Sequence, residues 1–205
     1  MIWYDYEREQ KTMTEFLTVI FFIEALIFLG IGLRVLITGR PFFLKARWFL
    51  GVMVLALSPM LIVSLSLSSN FANPVLLLNI LLFFVLLIYF AILMKGYIAM
   101  GVTDESFRTA IHAALQQLNI TFEETLAHIK LTSHDLDLQA AVQSWVGTAQ
   151  LKIKQSNGKP ILDEIAKAIE AYYQTHETKT NNVTAIFYIV VGLFMAVCAI
   201  VLITL

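Results

Sequence analysis

The sequence predicts an α-helical integral membrane protein with four transmembrane helices and a small cytoplasmic α+β domain inserted between the third and fourth. Of its 205 residues, 59% are hydrophobic and only 14% are charged, whereas a soluble domain has roughly 45–50% and about 25%. Uninterrupted apolar stretches recur along the chain, and one polar segment separates the last of them from the others. These three observations together favour a membrane protein that carries one folded domain outside the bilayer.

Each apolar stretch is close to the roughly 20 residues that a helix needs to cross a hydrocarbon core of about 30 Å. We expect the first to be a permanent helix and not a cleaved signal peptide, because its apolar run exceeds the roughly 7 to 15 residues of such signals and an acidic tail precedes it. The predicted spans are residues 16–37, 48–67, 75–94 and 183–205. The predicted domains are an N-terminal membrane region of residues 1–94, an α+β domain of residues 95–182 and the fourth span, residues 183–205.

The distribution of basic residues predicts the orientation, because lysine and arginine in short loops stay on the cytoplasmic side. The first loop contains Arg40, Lys45 and Arg47 and no acid, whereas the second loop is uncharged and the N-terminal tail is acidic. This pattern predicts that both termini lie outside and that residues 95–182 lie in the cytoplasm. The three cations of the first loop are expected to lie on anionic inner-leaflet lipid.

The α+β domain is predicted from changes of period along residues 95–182. Thr103 precedes an amphipathic helix, and apolar residues then alternate with polar ones over 127–132, 136–146 and 149–155. Asn157-Gly158 marks a turn, and Pro160 opens a second amphipathic helix. The predicted order is α-β-β-β-α, in which two helices cover one face of three antiparallel strands.

The domain shows no pattern typical of catalysis or of a bound group. Its histidines lack metal-ligand spacing, no glycine-rich phosphate loop is present, and the single cysteine, Cys198, lies in the fourth span. Eight basic residues stand against ten acidic ones in residues 95–182, and phosphate binding needs clustered positive charge. We therefore expect no metal, no cofactor, no enzymatic activity and no direct binding of nucleic acid.

Glu24 is the most unusual residue, because it lies in the middle of the first span. An ionised carboxylate there costs about 2.5–3.5 kcal/mol, so Glu24 is expected to be protonated or to have a partner. Arg34 lies ten residues further along the same helix, roughly 15 Å away, which is too far. Arg34 is expected to extend towards the cytoplasmic headgroups instead.

Two other spans offer polar partners. Ser58 lies at about the depth of Glu24, and Pro59 frees the carbonyl of Leu55, so these groups are predicted to form a polar patch with Glu24. Asn79 lies nearer the outer face. The alternative is self-association, in which copies of Glu24 from several chains meet around a symmetry axis.

Lys130, Lys152 and Lys154 are predicted to lie on the open face of the sheet, where they are either solvated or bind an anionic ligand or a protein. Trp145 fits neither the buried nor the polar set of its strand, and an exposed tryptophan is typical of a contact surface. These four residues form the predicted partner-binding set.

Two functions are open. The first is a non-enzymatic, homo-oligomeric membrane sensor or anchor whose cytoplasmic domain recruits or regulates a soluble protein. The second is a small ion channel or pore-forming effector that is gated through this domain, with Glu24 near the lumen. By layout alone, the chain resembles small multi-span membrane proteins of bacterial stress or phage-defence operons, and this resemblance implies a cytosolic partner.

Overall fold

The computed structural model of the chain describes residues 2–67, 73–125 and 128–204. Residues 68–72 of the second loop, residue 127 of the first predicted strand and residue 205 of the fourth span lie outside the described residues. The elements are α1 (Ile2–Thr38), β1 (Phe42–Lys45), α2 (Ala46–Leu67), α3 (Pro74–Leu93), β2 (Tyr97–Met100), α4 (Asp104–Gln117), β3 (Phe122–Glu124), β4 (Ile129–Leu131), β5 (Leu136–Gln143), β6 (Thr148–Ile153), α5 (Lys159–Thr175) and α6 (Asn182–Thr204).

The chain forms two compact units. The first, here called the helical bundle, comprises Met1–Gly30, Trp48–Met94 and Ile189–Leu205. The second, here called the sheet unit, comprises Ile31–Arg47 and Lys95–Tyr188. The sheet unit therefore contains the end of α1, the first loop and the start of α6 in addition to residues 95–182, the range of the predicted domain.

Four helices are long and apolar enough to cross a membrane, which confirms the four predicted apolar stretches as helices. Their mean hydropathy lies between 2.2 and 3.0 over Lys11–Thr38, Ala46–Ser66, Pro74–Leu93 and Asn182–Thr204. The whole of α1 is 37 residues long, or about 55 Å, so it exceeds the thickness of a hydrocarbon core.

The sheet has six antiparallel strands in the order β1-β2-β6-β5-β4-β3, so the prediction of three strands was incomplete. The predicted strands correspond to β4, β5 and β6. The missed strands have only three or four residues each, which is too short to establish an alternating pattern. β5 also ends earlier than predicted, at Gln143, because a turn follows in which Gly147 has a φ of +65°.

β1 lies within the basic first loop and forms an edge of the sheet. It pairs with β2, so that Phe42 lies opposite Met100 and Lys45 lies opposite Tyr97. The first loop therefore contains a strand of the sheet unit. Its sequence, Phe-Phe-Leu-Lys, does not alternate in polarity, which is why periodicity does not reveal it.

α4 and α5 cover one face of the sheet. The predicted N-cap is confirmed, since the Thr103 side chain accepts a hydrogen bond from the Ser106 backbone N–H at 3.1 Å. Phe43 of β1 stacks on Phe107 of α4 and Tyr173 of α5, with ring centroids 6.2 and 6.4 Å apart. The first-loop strand therefore contributes to the same core as the predicted domain.

The opposite face of the sheet, here called the open face, changes in polarity from one edge to the other. Phe42 and Met100 are buried, and Leu44 and Ile98 are half-buried. Towards β3 the residues are mostly polar, and cross-strand pairing places them on this face as follows: Thr148, Gln150 and Lys152 of β6, Asp137, Gln139, Ala141 and Gln143 of β5, Lys130 of β4 and Glu123 of β3.

Candidate functional site

Glu24 lies on the buried face of α1 in the helical bundle. Its side chain is only 1% exposed, and Leu17, Ile20 and Phe28 are buried on the same face, at the three- and four-residue spacing of neighbouring helix positions. Glu24 Oε1 has no hydrogen-bond partner among the described residues. A buried carboxyl oxygen without a donor is costly, so Glu24 is a candidate for contact with a group that the described residues do not supply.

The predicted polar patch of Glu24 and Ser58 is not formed. Ser58 Oγ donates to the Leu55 carbonyl at 2.7 Å, which is the carbonyl that Pro59 frees. A serine three residues after a carbonyl reaches it within its own helix. The hydroxyl therefore satisfies the freed carbonyl locally and leaves Glu24 without this partner.

Asn79 joins two helices of the bundle. Its Nδ2 donates to Ser64 Oγ at 2.6 Å, and Ser64 Oγ donates to the Met60 carbonyl of its own helix at 2.8 Å. Asn79 belongs to α3, and Ser64 and Met60 belong to α2. This contact, here called the asparagine clasp, explains Asn79 as a link between neighbouring helices.

α1 and α6 approach each other closely at Gly192. A Cβ atom at this glycine would lie 2.7 Å from Leu29 Cγ and 2.9 Å from the Leu29 backbone nitrogen. Only a residue without a side chain fits at this distance, as at other close crossings of membrane helices.

The start of α6 is hydrogen-bonded to the turn between β5 and β6, here called the tryptophan turn (residues 144–147). Thr184 Oγ1 is fully buried and donates to the Val146 and Gly147 carbonyls at 2.6 and 3.0 Å. Asn181 Nδ2 donates to the Ser144 carbonyl at 2.8 Å, and its backbone N–H donates to the Gly101 carbonyl at 3.0 Å.

The sequence predicts neither residue as part of a site. The polar segment before the fourth span is predicted only as a link back to the membrane, and nothing in residues 174–182 indicates tertiary hydrogen bonds. Asparagine and threonine at a helix start suggest only a local cap. The bonds to the tryptophan turn require knowledge of the fold.

The end of α1 also belongs to the sheet unit. Val35 is fully buried, and a Cβ atom at Gly101 would lie 3.1 Å from Val35 Cγ1. The Thr180 hydroxyl donates to the Gly39 carbonyl. The end of α1 is therefore tied to the segment that leads into α6.

Arg34, predicted as an intramembrane polar residue, lies in the sheet unit with its guanidinium 4.3 Å from the centre of the Phe42 ring, a cation–π contact. Arg40 Nη1 donates to the Gln174 carbonyl at 2.9 Å. Both arginines line a cavity of about 140 Å³ whose other walls include Glu170. Lys45 and Arg47 are exposed, and lipid contact by the first-loop cations stays a prediction.

Two tyrosines connect the sheet unit internally. The Tyr97 hydroxyl donates to Asp163 Oδ1 at 2.8 Å, and burial together with this acidic partner raises the pKa of Tyr97 to about 12. The Tyr173 hydroxyl donates to the Ser106 carbonyl at 3.3 Å. Burial also raises the pKa of Tyr173 above its usual range.

The predicted partner-binding residues do not form one patch. Lys130 and Lys152 lie on the open face, and Lys154 follows β6 at the end where its backbone N–H donates to the Asp137 carbonyl. Trp145 lies in the tryptophan turn at the other end of β5. β5 has eight residues, or roughly 25 Å of strand, so the tryptophan and Lys154 occupy separate surfaces.

Within the described ranges, no three His, Cys, Asp or Glu side chains come together in a way that could hold a metal ion. Comparison of the chain with protein-family models, with curated proteins and with solved structures finds no match. The features of the chain that bear on function are therefore the hydrogen-bonded start of α6, the open face of the sheet and Glu24.

Proposed function

We propose that the chain is a non-enzymatic, homo-oligomeric membrane sensor or anchor whose sheet unit recruits or regulates a soluble protein. One observation carries this proposal: the sheet unit contains the end of α1 and the start of α6 as integral parts. A displacement of these helices in the bilayer would move the sheet directly, because hydrogen bonds replace a flexible linker at the α6 junction.

The strand pairing supports the proposed topology. β1 follows the first span, and β2 follows the third. Because these strands pair, the first loop and residues 95–182 must lie on the same side of any membrane that the four helices cross. The basic first loop favours the cytoplasm, and both termini then lie outside the bacterial inner membrane.

The open face supports a protein partner. Asp137 lies at the charged end of the open face. Its carboxylate oxygen Oδ2 accepts a hydrogen bond from Gln155 Nε2 at 3.3 Å. Among the described residues, neither Lys152 nor Lys154 has an acidic side chain within 4.0 Å. Lys152 and Lys154 therefore form no ion pair among the described residues, so each is available to an acidic side chain on a protein partner.

Site-specific photo-crosslinking in the native host tests the partner. A benzophenone residue replaces Gln139, next to Lys152 on the open face, and in a second strain it replaces Lys167, which is exposed on α5. We expect one soluble protein to crosslink from position 139 and not from position 167. Adding Lys152→Glu should abolish the crosslink, and adding Lys167→Glu should leave it intact.

Crosslinks at position 139 that contain only lipid or copies of this chain would contradict recruitment of a soluble protein. If the captured protein is encoded beside stress or phage-defence genes, the proposed membership of such a complex gains its first direct support. The mass of the assembly, extracted with surrounding lipid, tests the proposed homo-oligomer, and a monomeric mass would overturn that part.

A small ion channel is the second candidate, because Glu24 Oε1 is buried without a donor. In a homo-oligomer, a second copy or a permeating cation would supply the missing partner. Ion flux into liposomes tests this alternative. Glu24→Gln should abolish flux, whereas Ser58→Ala should not, since Ser58 bonds only within its own helix; absence of flux from the unmodified protein would contradict a channel.

A further inference from the structure

Trp145 is the most exposed aromatic side chain of the sheet unit, with 74% of its surface accessible. It lies in the tryptophan turn, and no strand partner faces it. Tryptophan combines a large apolar ring with one N–H donor, and for this reason it is enriched where apolar and aqueous phases meet.

Hydrogen bonds and close packing fix the position of the tryptophan turn relative to the start of α6. The carbonyls on both sides of Trp145, those of Ser144 and Val146, accept hydrogen bonds from Asn181 and Thr184. A Cβ atom at Gly147 would collide with Thr184 Oγ1 and lie 2.7 Å from Asn181 Cβ. Trp145 is therefore held at the level of the first turn of α6.

The first turns of α6 lie at the boundary of the hydrocarbon layer. α6 has 23 residues, Asn182–Thr204, about 35 Å of helix, which exceeds a hydrocarbon core of about 30 Å only slightly. Val183 and Ile186 are apolar and more than half exposed in the sheet unit. These side chains need lipid around them, so the helix must enter the apolar layer within its first two turns.

The headgroup layer on each side of the core is roughly 5–8 Å thick. This is comparable to the rise of one to two helical turns. A side chain fixed at the level of residues 181–184 therefore falls within that layer, while the exposed residues of α6 below it face the acyl chains.

We infer that Trp145 inserts its indole ring into the phospholipid headgroup layer of the membrane that α6 crosses, and that it anchors the sheet unit there. The inference rests on the membrane insertion proposed above. It assigns lipid as the partner of Trp145 and leaves the open face for the soluble protein. The apolar ring of Trp145 is thereby removed from water and contacts the headgroup layer instead.

Tryptophan fluorescence tests the depth of this residue. The full chain carrying Trp3→Phe and Trp48→Phe, with Trp145 as its only tryptophan, is placed in nanodiscs of phosphatidylcholine and phosphatidylglycerol. Some nanodiscs contain phosphatidylcholine brominated on the acyl chain close to the headgroup, and others contain lipid brominated near the chain end. We expect the first to reduce fluorescence to about half or less and the second to reduce it less, as befits an interfacial ring.

Two matched controls calibrate the result. The variant Trp3→Phe with Trp145→Phe retains Trp48, which lies in the first turns of α2, and its fluorescence should also be quenched. A variant without the three native tryptophans that carries His134→Trp, in the exposed turn at the other end of β5, should be quenched much less than Trp145.

Each other outcome contradicts a defined part of the account. Quenching of Trp48 without quenching of Trp145 overturns the inference and leaves membrane insertion intact. Loss of quenching at both positions overturns the proposed membrane insertion as well. Quenching of Trp145 by aqueous iodide, relieved only when a soluble protein is added, would assign the ring to a protein partner, and equal quenching at position 134 would show that the lipid contact is unspecific.

Discussion

The four long helices divide into two pairs with different environments. α1 and α6 bury residues along their length, touch closely at Gly192 and contribute their ends to the sheet unit. In contrast, none of residues 48–66 of α2 is buried, and Leu76 is the sole buried residue in α3. The asparagine clasp joins α2 to α3.

This difference teaches that helices of similar hydropathy are packed differently. The ends of α1 and α6 belong to the sheet unit, whereas α2 from Trp48 onwards and the whole of α3 belong to the helical bundle. The loosely packed pair presents apolar side chains outwards, which suits contact with lipid or with other copies of the chain. Hydropathy alone does not distinguish the two pairs.

The largest effect is expected from filling the close approach of α1 and α6. Gly192→Leu places a side chain against the Leu29 backbone, and such overpacking costs typically 1–3 kcal/mol, here at the upper end or beyond. The free energy of unfolding in mild detergent should fall accordingly. Gly30→Leu is the matched control, because the position of Gly30 offers open space. No other atom lies within 4 Å of a Cβ at Gly30, and equal losses from both variants would show that the close approach at Gly192 does not cause the destabilisation.

The next effect concerns the junction between α6 and the sheet. Thr184→Val preserves shape and removes the hydroxyl that donates to two carbonyls of the tryptophan turn. We expect a loss of about 1–3 kcal/mol in the unfolding free energy of the sheet unit. Thr18→Val is the control, because the Thr18 hydroxyl bonds only to the Thr14 carbonyl of its own helix. If Thr184→Val changes the unfolding free energy as little as Thr18→Val does, the hydrogen bonds of Thr184 do not stabilise the sheet unit.

A smaller effect is expected for the sheet unit at alkaline pH. Burial and Asp163 raise the pKa of Tyr97 to about 12, above roughly 10 in an unfolded chain. The neutral phenol is therefore favoured in the fold, so its contribution is complete below pH 10 and is lost as the pH rises towards 12.

The test is to measure unfolding of the sheet unit from pH 9 to 12 by denaturant titration. Tyr97→Phe removes the hydroxyl that bonds Asp163 and should cost about 0.5–1.5 kcal/mol at neutral pH. It should also flatten the decline of stability above pH 10. An unchanged pH profile in this variant would contradict the assignment to Tyr97.

The smallest effect is expected at the loosely packed pair. Asn79→Leu removes the asparagine clasp, and interhelical hydrogen bonds in membranes average about 0.6 kcal/mol. Ser66→Ala is the control, because Ser66 bonds only to the Ile62 carbonyl of its own helix. A loss from Asn79→Leu as large as that from Gly192→Leu would show that α2 and α3 are as tightly packed as the other pair.

Much of this architecture could be predicted from the sequence, because long apolar runs and two-residue alternation are strong local signals. The spans, the Thr103 cap and strands β4 to β6 follow from such patterns. β1 could not be predicted, since Phe42–Lys45 is short and gains its regular structure by pairing with β2, which is distant in sequence. The contact of Arg34 with Phe42 could not be predicted for the same reason, because it depends on that strand.

The site was less predictable than the fold. The sequence identifies Glu24 and Trp145 as unusual, since each breaks the pattern of its surroundings. It could not predict that Ser58 bonds its own helix, nor that Asn181 and Thr184 fix the tryptophan turn. These contacts depend on distances that only the folded chain determines.

Hydrogen exchange at the junction tests the central claim most directly. In nanodiscs, the Asn181 amide, which donates to Gly101, and the Val102 amide, which donates to Gly147, should exchange as slowly as the Leu151 amide in the centre of the sheet. This result would show that the segment leading into α6 is an integral part of the sheet unit. Exchange of Asn181 at the rate of an exposed, unstructured linker would contradict the claim.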